Sequence, residues 1–125
     1  MSIWDKYKTS EESIICMVGI VALCVSLSKV DGDFSDEERI EILKLIPHTE
    51  DERPYVLNLI QEIDKDNLDY IFHAENLKKY LSSMIFYDFI IATMYKLAWA
   101  DHHMDKDELD MIQKTRKIFN SEILS

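Results

Sequence analysis

Residues 27–46 read LSKVDGDFSDEERIEILKLI, and residues 97–116 read LAWADHHMDKDELDMIQKTR. An offset of seventy residues aligns the two stretches without a gap. In each stretch an apolar segment ends at an aspartate, a short acidic turn follows, and a polar-faced helix begins with a glutamate in its first turn. The aligned identities include Asp31 with Asp101 and Glu38 with Glu108. The sequence therefore uses one acidic helix-turn-helix unit twice.

The spacing of turn-forming residues predicts the fold class. The chain has 125 residues but only two glycines and two prolines, which favours a few long helices over many short strands. We expect an all-α, compact bundle of six to seven helices, built from two pseudo-symmetric helical hairpins. The first and fifth helices should lie at its centre, and residues 1–125 should form a single domain.

Capping residues predict where the helices begin and end. We expect the first long helix to start at Ser10, its N-cap, and to stop at Val30-Asp31-Gly32, where Gly32 can adopt a left-handed conformation. Ser35 and Glu38 match a capping box at the start of the next helix, and Pro47 ends that helix.

The middle of the chain gives weaker signals. A helix from about Leu68 to Tyr80 is expected to bury a stripe formed by Ile71, Phe72, Leu77 and Leu81. Its single histidine, His73, is expected on the surface or half-buried.

Charge and cysteine content exclude some classes of function. A net charge of -10 argues against a broad surface for nucleic acid or anionic lipid, and permits cations or basic partners. Residues 13–28 carry no charge but are fewer than the roughly 20 that span a bilayer, so we expect a core helix without direct membrane insertion. Cys16 and Cys24 should lie roughly 12 Å apart along that helix, too far for a disulfide, as suits reduced thiols in the cytoplasm.

The two repeated aspartates suggest a metal site. Asp31 and Asp101 each follow a long helix, where the negative end of the helix dipole disfavours a carboxylate by about 0.3–1 kcal/mol. A cation held between each aspartate and the following Glu38 or Glu108 would compensate this cost. Oxygen ligands suit Ca²⁺ or Mg²⁺, whereas the histidines of the second turn would also admit Zn²⁺; these are His102 and His103.

Helix capping is an alternative explanation of the same residues. Glu38 and Glu108 each lie three residues after a good N-cap, and an aspartate before Gly32 is ordinary turn chemistry. The turns are not EF-hands, because position six of the loop lacks glycine and position twelve lacks glutamate. The sequence contains neither a zinc-binding spacing nor a complete catalytic constellation, so we expect a protein that is not an enzyme.

A family resemblance joins these residues. The stretches SLSKVDGDFSDEERIEILKLI and YKLAWADHHMDKDELDMIQKTRKIF resemble the acidic hairpin of the TerB-like family, which includes tellurite-resistance proteins. The resemblance implies an all-α fold, a cytoplasmic bacterial protein, and a role in stress responses such as that to tellurite. It also implies a metal-chelating role for Asp31, Glu38, Asp101 and Glu108. His102 departs from the pattern, because the first copy has Gly32 there, and this argues against identical function of the two halves.

Two functional hypotheses remain open from the sequence. The first is a non-enzymatic domain that binds a divalent cation of unknown identity through the repeated acidic turns. The second is an acidic helical module that binds another protein without metal, its carboxylates serving only as caps. Neither hypothesis fixes the oligomeric state, and neither involves nucleic acid.

Overall fold

A computed structural model describes residues 2–30, 32, 34–100 and 104–121. Within these residues the chain forms seven α-helices and no β-strand, which confirms the predicted all-α bundle. A single 3-10 turn, Glu50–Glu52, precedes the fourth helix. The helices are α1 (Ile3–Tyr7), α2 (Glu12–Ser28), α3 (Asp36–Leu45), α4 (Arg53–Asp66), α5 (Tyr70–Tyr80), α6 (Met84–Ala98) and α7 (Lys106–Asn120).

The apolar helix α2 forms the centre of the bundle. Most of its side chains from Ile15 to Ser28 are buried, as the apolar residues all round the helix predict. It packs most extensively against α6, and then against α5 and α4. The predicted two-fold relation between the hairpins stays a prediction. In the described part of the chain, none of the helices combines the length and the apolarity needed to cross a membrane.

The turn between α2 and α3 has the predicted local chemistry. Gly32 has a φ of +102°, a conformation that side chains other than glycine rarely adopt. The Ser35 side chain accepts a hydrogen bond from the backbone N–H of Glu38 at 3.2 Å, and Glu38 Oε1 accepts one from the backbone N–H of Ser35 at 3.0 Å. This reciprocal pair satisfies two donors at the start of α3.

The predicted start of the first long helix at Ser10 is wrong. The N-cap of α2 is Glu11, and the helix begins at Glu12. The backbone N–H of Ser10 instead bonds to the carbonyl oxygen of Tyr7 at 2.9 Å. Ser10 thus belongs to the turn that follows α1, a short helix that the sequence pattern did not indicate.

The stripe predicted for α5 is partly wrong. Leu77 and Leu81 are buried, but Ile71 and Phe72 are exposed. The residue that enters the core is His73, which is only 1% exposed and was expected nearer the surface.

The cause is a contact between α1 and α5 that is distant in sequence. Trp4 Nε1 donates a hydrogen bond to His73 Nδ1 at 3.0 Å, and both side chains are buried. Nδ1 must therefore be the unprotonated nitrogen of the neutral ring. Burial lowers the pKa of His73 to about 4, although the charges of Asp69 and Asp66 oppose the shift.

Both cysteines lie in the core as free thiols, as predicted. Cys16 and Cys24 are buried and form no disulfide. Burial raises the pKa of each thiol to about 12, because the thiolate would lose its hydration. Neither thiol is therefore activated as a nucleophile.

Candidate functional site

Residues on either side of the two acidic turns line one cleft of about 400 Å³. The end of α2 and the first turns of α3 line one part of it, and the end of α6 and the start of α7 line another. Apolar residues such as Leu27 and Ala98 also line the cleft. Five carboxylates line it: Glu37, Glu38, Glu41, Asp105 and Glu108. The sequence predicts a separate site at each turn, whereas the fold brings residues from both halves of the repeat to one cleft.

The predicted metal ligands divide into two groups. Glu38 and Glu108, from opposite halves of the repeat, line the same cleft. The other predicted residues lie outside the residues that the structure describes: Asp31, Asp101, His102 and His103.

Chain connectivity relates the two aspartates to the cleft. Val30 and Ala100 line the cleft, and they immediately precede Asp31 and Asp101 in the sequence.

Helix capping accounts for some of the hydrogen bonds that the cleft carboxylates accept. Glu38 Oε1 accepts hydrogen bonds from the backbone N–H and the hydroxyl of Ser35, at 3.0 and 3.1 Å. In the second turn, Asp105 Oδ1 accepts a hydrogen bond from the backbone N–H of Asp107 at 2.8 Å. The predicted capping role is thus confirmed for Glu38. A carboxylate has about four lone-pair sites, so the two accepted bonds leave Glu38 with capacity for a further ligand.

Two cationic side chains near the first turn are bound elsewhere. Lys29 Nζ contacts Asp64 Oδ1 at 2.6 Å and also donates to the carbonyl oxygen of Asp64. Arg39 Nη2 donates to Asp64 Oδ2 at 2.6 Å, and its guanidinium lies over the Phe34 ring at 4.6 Å. Among the described residues that line the cleft there is no lysine, arginine or histidine. Of the cleft carboxylates, Glu41 pairs with Lys44, which does not line the cleft, at 3.7 Å.

The pKa of Asp64 reflects this pairing. Desolvation by itself would raise the pKa of its carboxyl group. The hydrogen bonds and positive charges of Lys29 and Arg39 outweigh it, so the pKa lies below its usual value. Asp64 is thus the shared partner of Lys29 and Arg39, and Arg39 Nε also lies 3.7 Å from Asp36 Oδ1.

The described residues do not by themselves form a complete metal site. Within them, no three histidine, cysteine, aspartate or glutamate side chains are grouped closely enough to hold one ion. Any such site in the cleft needs further ligands, such as the two predicted aspartates, backbone carbonyl oxygens or water.

One carboxylate of the cleft, Glu41, lies beyond the acidic turn and Glu38, so the sequence did not indicate it as a ligand. Glu37 and Glu41 are four residues apart, a spacing that puts them on one face of α3. That spacing was readable from the sequence. That this face is opposite the start of α7 was not readable, because it depends on how the two hairpins pack.

Comparisons with known proteins agree with this architecture. A search of curated proteins and a search of solved structures found no match to the chain. A family model, that of the tellurite resistance protein TerB, matches residues 17–122. The match contains both acidic turns and the cleft between them, and it covers most of the 125 residues. The chain therefore belongs to the TerB family.

Proposed function

We propose that this TerB-family domain binds a divalent cation in the acidic cleft, through Asp31, Glu38, Asp101 and Glu108. The proposed role is non-enzymatic, in a cytoplasmic stress response of the tellurite type. The observation that carries the proposal is that Glu38 and Glu108, from the two halves of the repeat, line one cleft, while Lys29 and Arg39 pair with Asp64.

The chemistry of the cleft suits a hard cation. Carboxylates supply the oxygen ligands that Ca²⁺ and Mg²⁺ prefer. The C-terminal ends of α2 and α6 also reach the cleft, and carbonyl groups at helix ends carry partial negative charge. A cation between the two turns would be attracted by both sources of negative potential, and it would relieve repulsion among the carboxylates.

Isothermal titration with Ca²⁺, Mg²⁺, Mn²⁺ and Zn²⁺ tests the proposal. We expect one of these ions to bind with a Kd below about 1 mM, and the double variant Asp31→Asn, Asp101→Asn to weaken it by at least about tenfold. The matched control is Asp51→Asn, Asp88→Asn, which removes the same number of charges from exposed sites that do not line the cleft. No binding below that concentration, or equal losses in both double variants, would contradict the proposal.

A protein-interaction role is the second candidate, favoured by the capping box of Ser35 and Glu38. If capping is the main task of Glu38, the acidic cleft is a surface for a basic partner and needs no metal. Binding of the partner would then depend on salt and be unaffected by chelators. In that case Glu38→Gln should reduce stability but leave partner binding nearly unchanged.

A further inference from the structure

A second concave surface of this domain is almost entirely apolar. This groove, of about 390 Å³, lies between the first half of α2, the end of α3 and the start of α6. Among the residues that line it, only Ser13 and Glu52 are polar or charged. Ile85, an apolar residue of α6, is 79% exposed. Other apolar residues of the groove are Ile14, Met17, Ile46, Phe86 and Phe89.

The exposed apolar residues are continuous along α6. Ile85 and Phe89 are four residues apart, so they lie on one face of the helix, and both line the groove. The main neighbours of α6 are α2, α3 and α7, and the groove includes part of the surface that these helices leave open. Contiguous exposed apolar patches in a folded domain commonly mark interaction sites.

The border of the groove is acidic. The segments that line it, 13–20, 46–52 and 84–89, contain no lysine or arginine. They do contain four exposed acidic residues, Glu50, Asp51, Glu52 and Asp88. The backbone N–H of Thr49 donates to Glu52 Oε1 at 2.9 Å and lowers the pKa of that carboxyl group, which keeps it charged. An apolar floor with a negative border is complementary to an apolar segment flanked by positive charge.

We propose that the groove binds an amphipathic helix of a partner protein, with lysine or arginine flanking its apolar face. Apolar side chains at positions i, i+3, i+4 and i+7 enter the groove, and the basic residues meet the acidic border. A helix is the fitting occupant because the described residues offer helical surfaces and no strand edge to which an extended peptide could pair. The proposal concerns a surface separate from the acidic cleft and does not depend on cation binding.

Charge distinguishes this occupant from two others. A second copy of the chain would bring another net charge of -10 and the same acidic border to the interface, so the two surfaces would repel. An anionic membrane surface would be repelled for the same reason. A basic helix gains electrostatic attraction in addition to apolar contact.

Fluorescence anisotropy with a labelled synthetic peptide tests the proposal. The peptide carries leucines at i, i+3, i+4 and i+7 and lysines on the opposite face. We expect it to bind the intact protein with a Kd below about 1 mM, and Phe89→Ser to weaken binding by at least about tenfold. Phe72→Ser is the matched control, because Phe72 is 41% exposed and Phe89 is 42% exposed, but Phe72 does not line the groove. Circular dichroism verifies that both variants are folded.

Further variants separate the apolar contribution to peptide binding from the electrostatic contribution. The double variant Asp51→Asn, Asp88→Asn should weaken peptide binding and make the binding less sensitive to salt. The double variant Asp31→Asn, Asp101→Asn changes the net charge by the same amount and should leave both properties unchanged. The proposal is overturned if no binding occurs below about 1 mM, if Phe72→Ser costs as much as Phe89→Ser, or if a peptide with glutamates in place of lysines binds equally well. It is also overturned if Phe89→Ser abolishes self-association or binding to anionic vesicles while peptide binding is unchanged.

Discussion

The two apolar helices of the repeat, α2 and α6, are covered very differently by the rest of the fold. The main neighbours of α2 are α1, α3, α4, α5 and α6, so only its first half, which lines the apolar groove, keeps an exposed apolar residue, Ile14. The main neighbours of α6 are α2, α3 and α7, and it leaves apolar surface open. The acidic cleft is lined by residues that the two halves of the repeat share, such as Glu38 and Glu108. The apolar groove lies where the exposed start of α6 meets the first half of α2.

Corresponding positions of the repeat show the same divergence. Gly19 of α2 lies against Leu77 of α5, whereas Phe89, seventy residues later, is an exposed residue of the groove. Lys29 is held by the ion pair with the end of α4, whereas its counterpart Trp99 is exposed. Equivalent positions in a repeat therefore take their roles from the helices packed against them. Three predictions test this difference.

The largest expected change in stability comes from His73, at the buried contact between α1 and α5, two helices that pack against α2. His73 is neutral in the folded state, with a pKa lowered from 6.5 to about 4. Below pH 6.5 the unfolded chain takes up a proton that the folded chain excludes, so stability falls as the pH decreases from 6.5 to about 4. The loss attributable to this group should reach about 3 kcal/mol. It is measured as the difference in pH dependence of the free energy of unfolding between the wild type and His73→Gln.

Glutamine at position 73 can still accept the hydrogen bond from Trp4, so the variant removes the titration with little change in contact. NMR titration of the His73 ring gives the folded pKa independently. Identical pH dependence of unfolding in both proteins would show that the buried contact of α1 with α5 is not sensitive to acid.

The second prediction compares the loss of stability on substitution of Gly19 with that on substitution of Phe89. A Cβ atom at Gly19 would lie 2.4 Å from Leu77 Cδ2, and Leu77 is fully buried, so its side chain has little room to move. Gly19→Ala should reduce the free energy of unfolding by about 2 kcal/mol, even though alanine is a better helix former than glycine. Phe89→Ala should cost less than about 1 kcal/mol, because Phe89 is already partly in water. Urea denaturation measures both, and equal losses would refute the different cover of the two helices.

The smallest effect concerns the ion pairs that anchor the first hairpin. Asp64→Ala leaves Lys29 and Arg39 without their shared carboxylate, and since all three groups are only partly buried we expect a loss of about 1 kcal/mol. Because the folded pKa of Asp64 is lowered, this contribution is complete above the unfolded value of 3.8 and is lost as the pH falls through the folded value.

An ion pair of α7 in the second hairpin serves as the control for Asp64. Asp110 pairs with Lys114 at 2.9 Å, but both side chains are more than half exposed. Asp110→Ala should therefore leave the urea midpoint unchanged within error. A larger loss for Asp110→Ala than for Asp64→Ala would show that the second hairpin, and not the first, is the one anchored by charge.

Local signals in the sequence were sufficient to predict most helices. The capping box at Ser35 and Glu38, the glycine turn at Gly32 and the apolar run of α2 depend on neighbours within a few residues. Prediction failed where contacts are distant along the chain. Ser10 was assigned to α2 because its bond to the end of α1 was not foreseen, and the stripe on α5 was misplaced because Trp4 and His73 are 69 residues apart.

The sequence by itself determined the helical class, the duplicated acidic turn and the capping of Glu38, because each follows from periodicity and from chemistry within one turn of chain. It also indicated Glu38 and Glu108 as candidate metal ligands. Only the tertiary structure decided that these two glutamates share one cleft, that Lys29 and Arg39 turn toward Asp64, and that α6 keeps an open apolar face. The physical reason is that burial and charge pairing depend on which helices pack together, and residues far apart in sequence determine that packing.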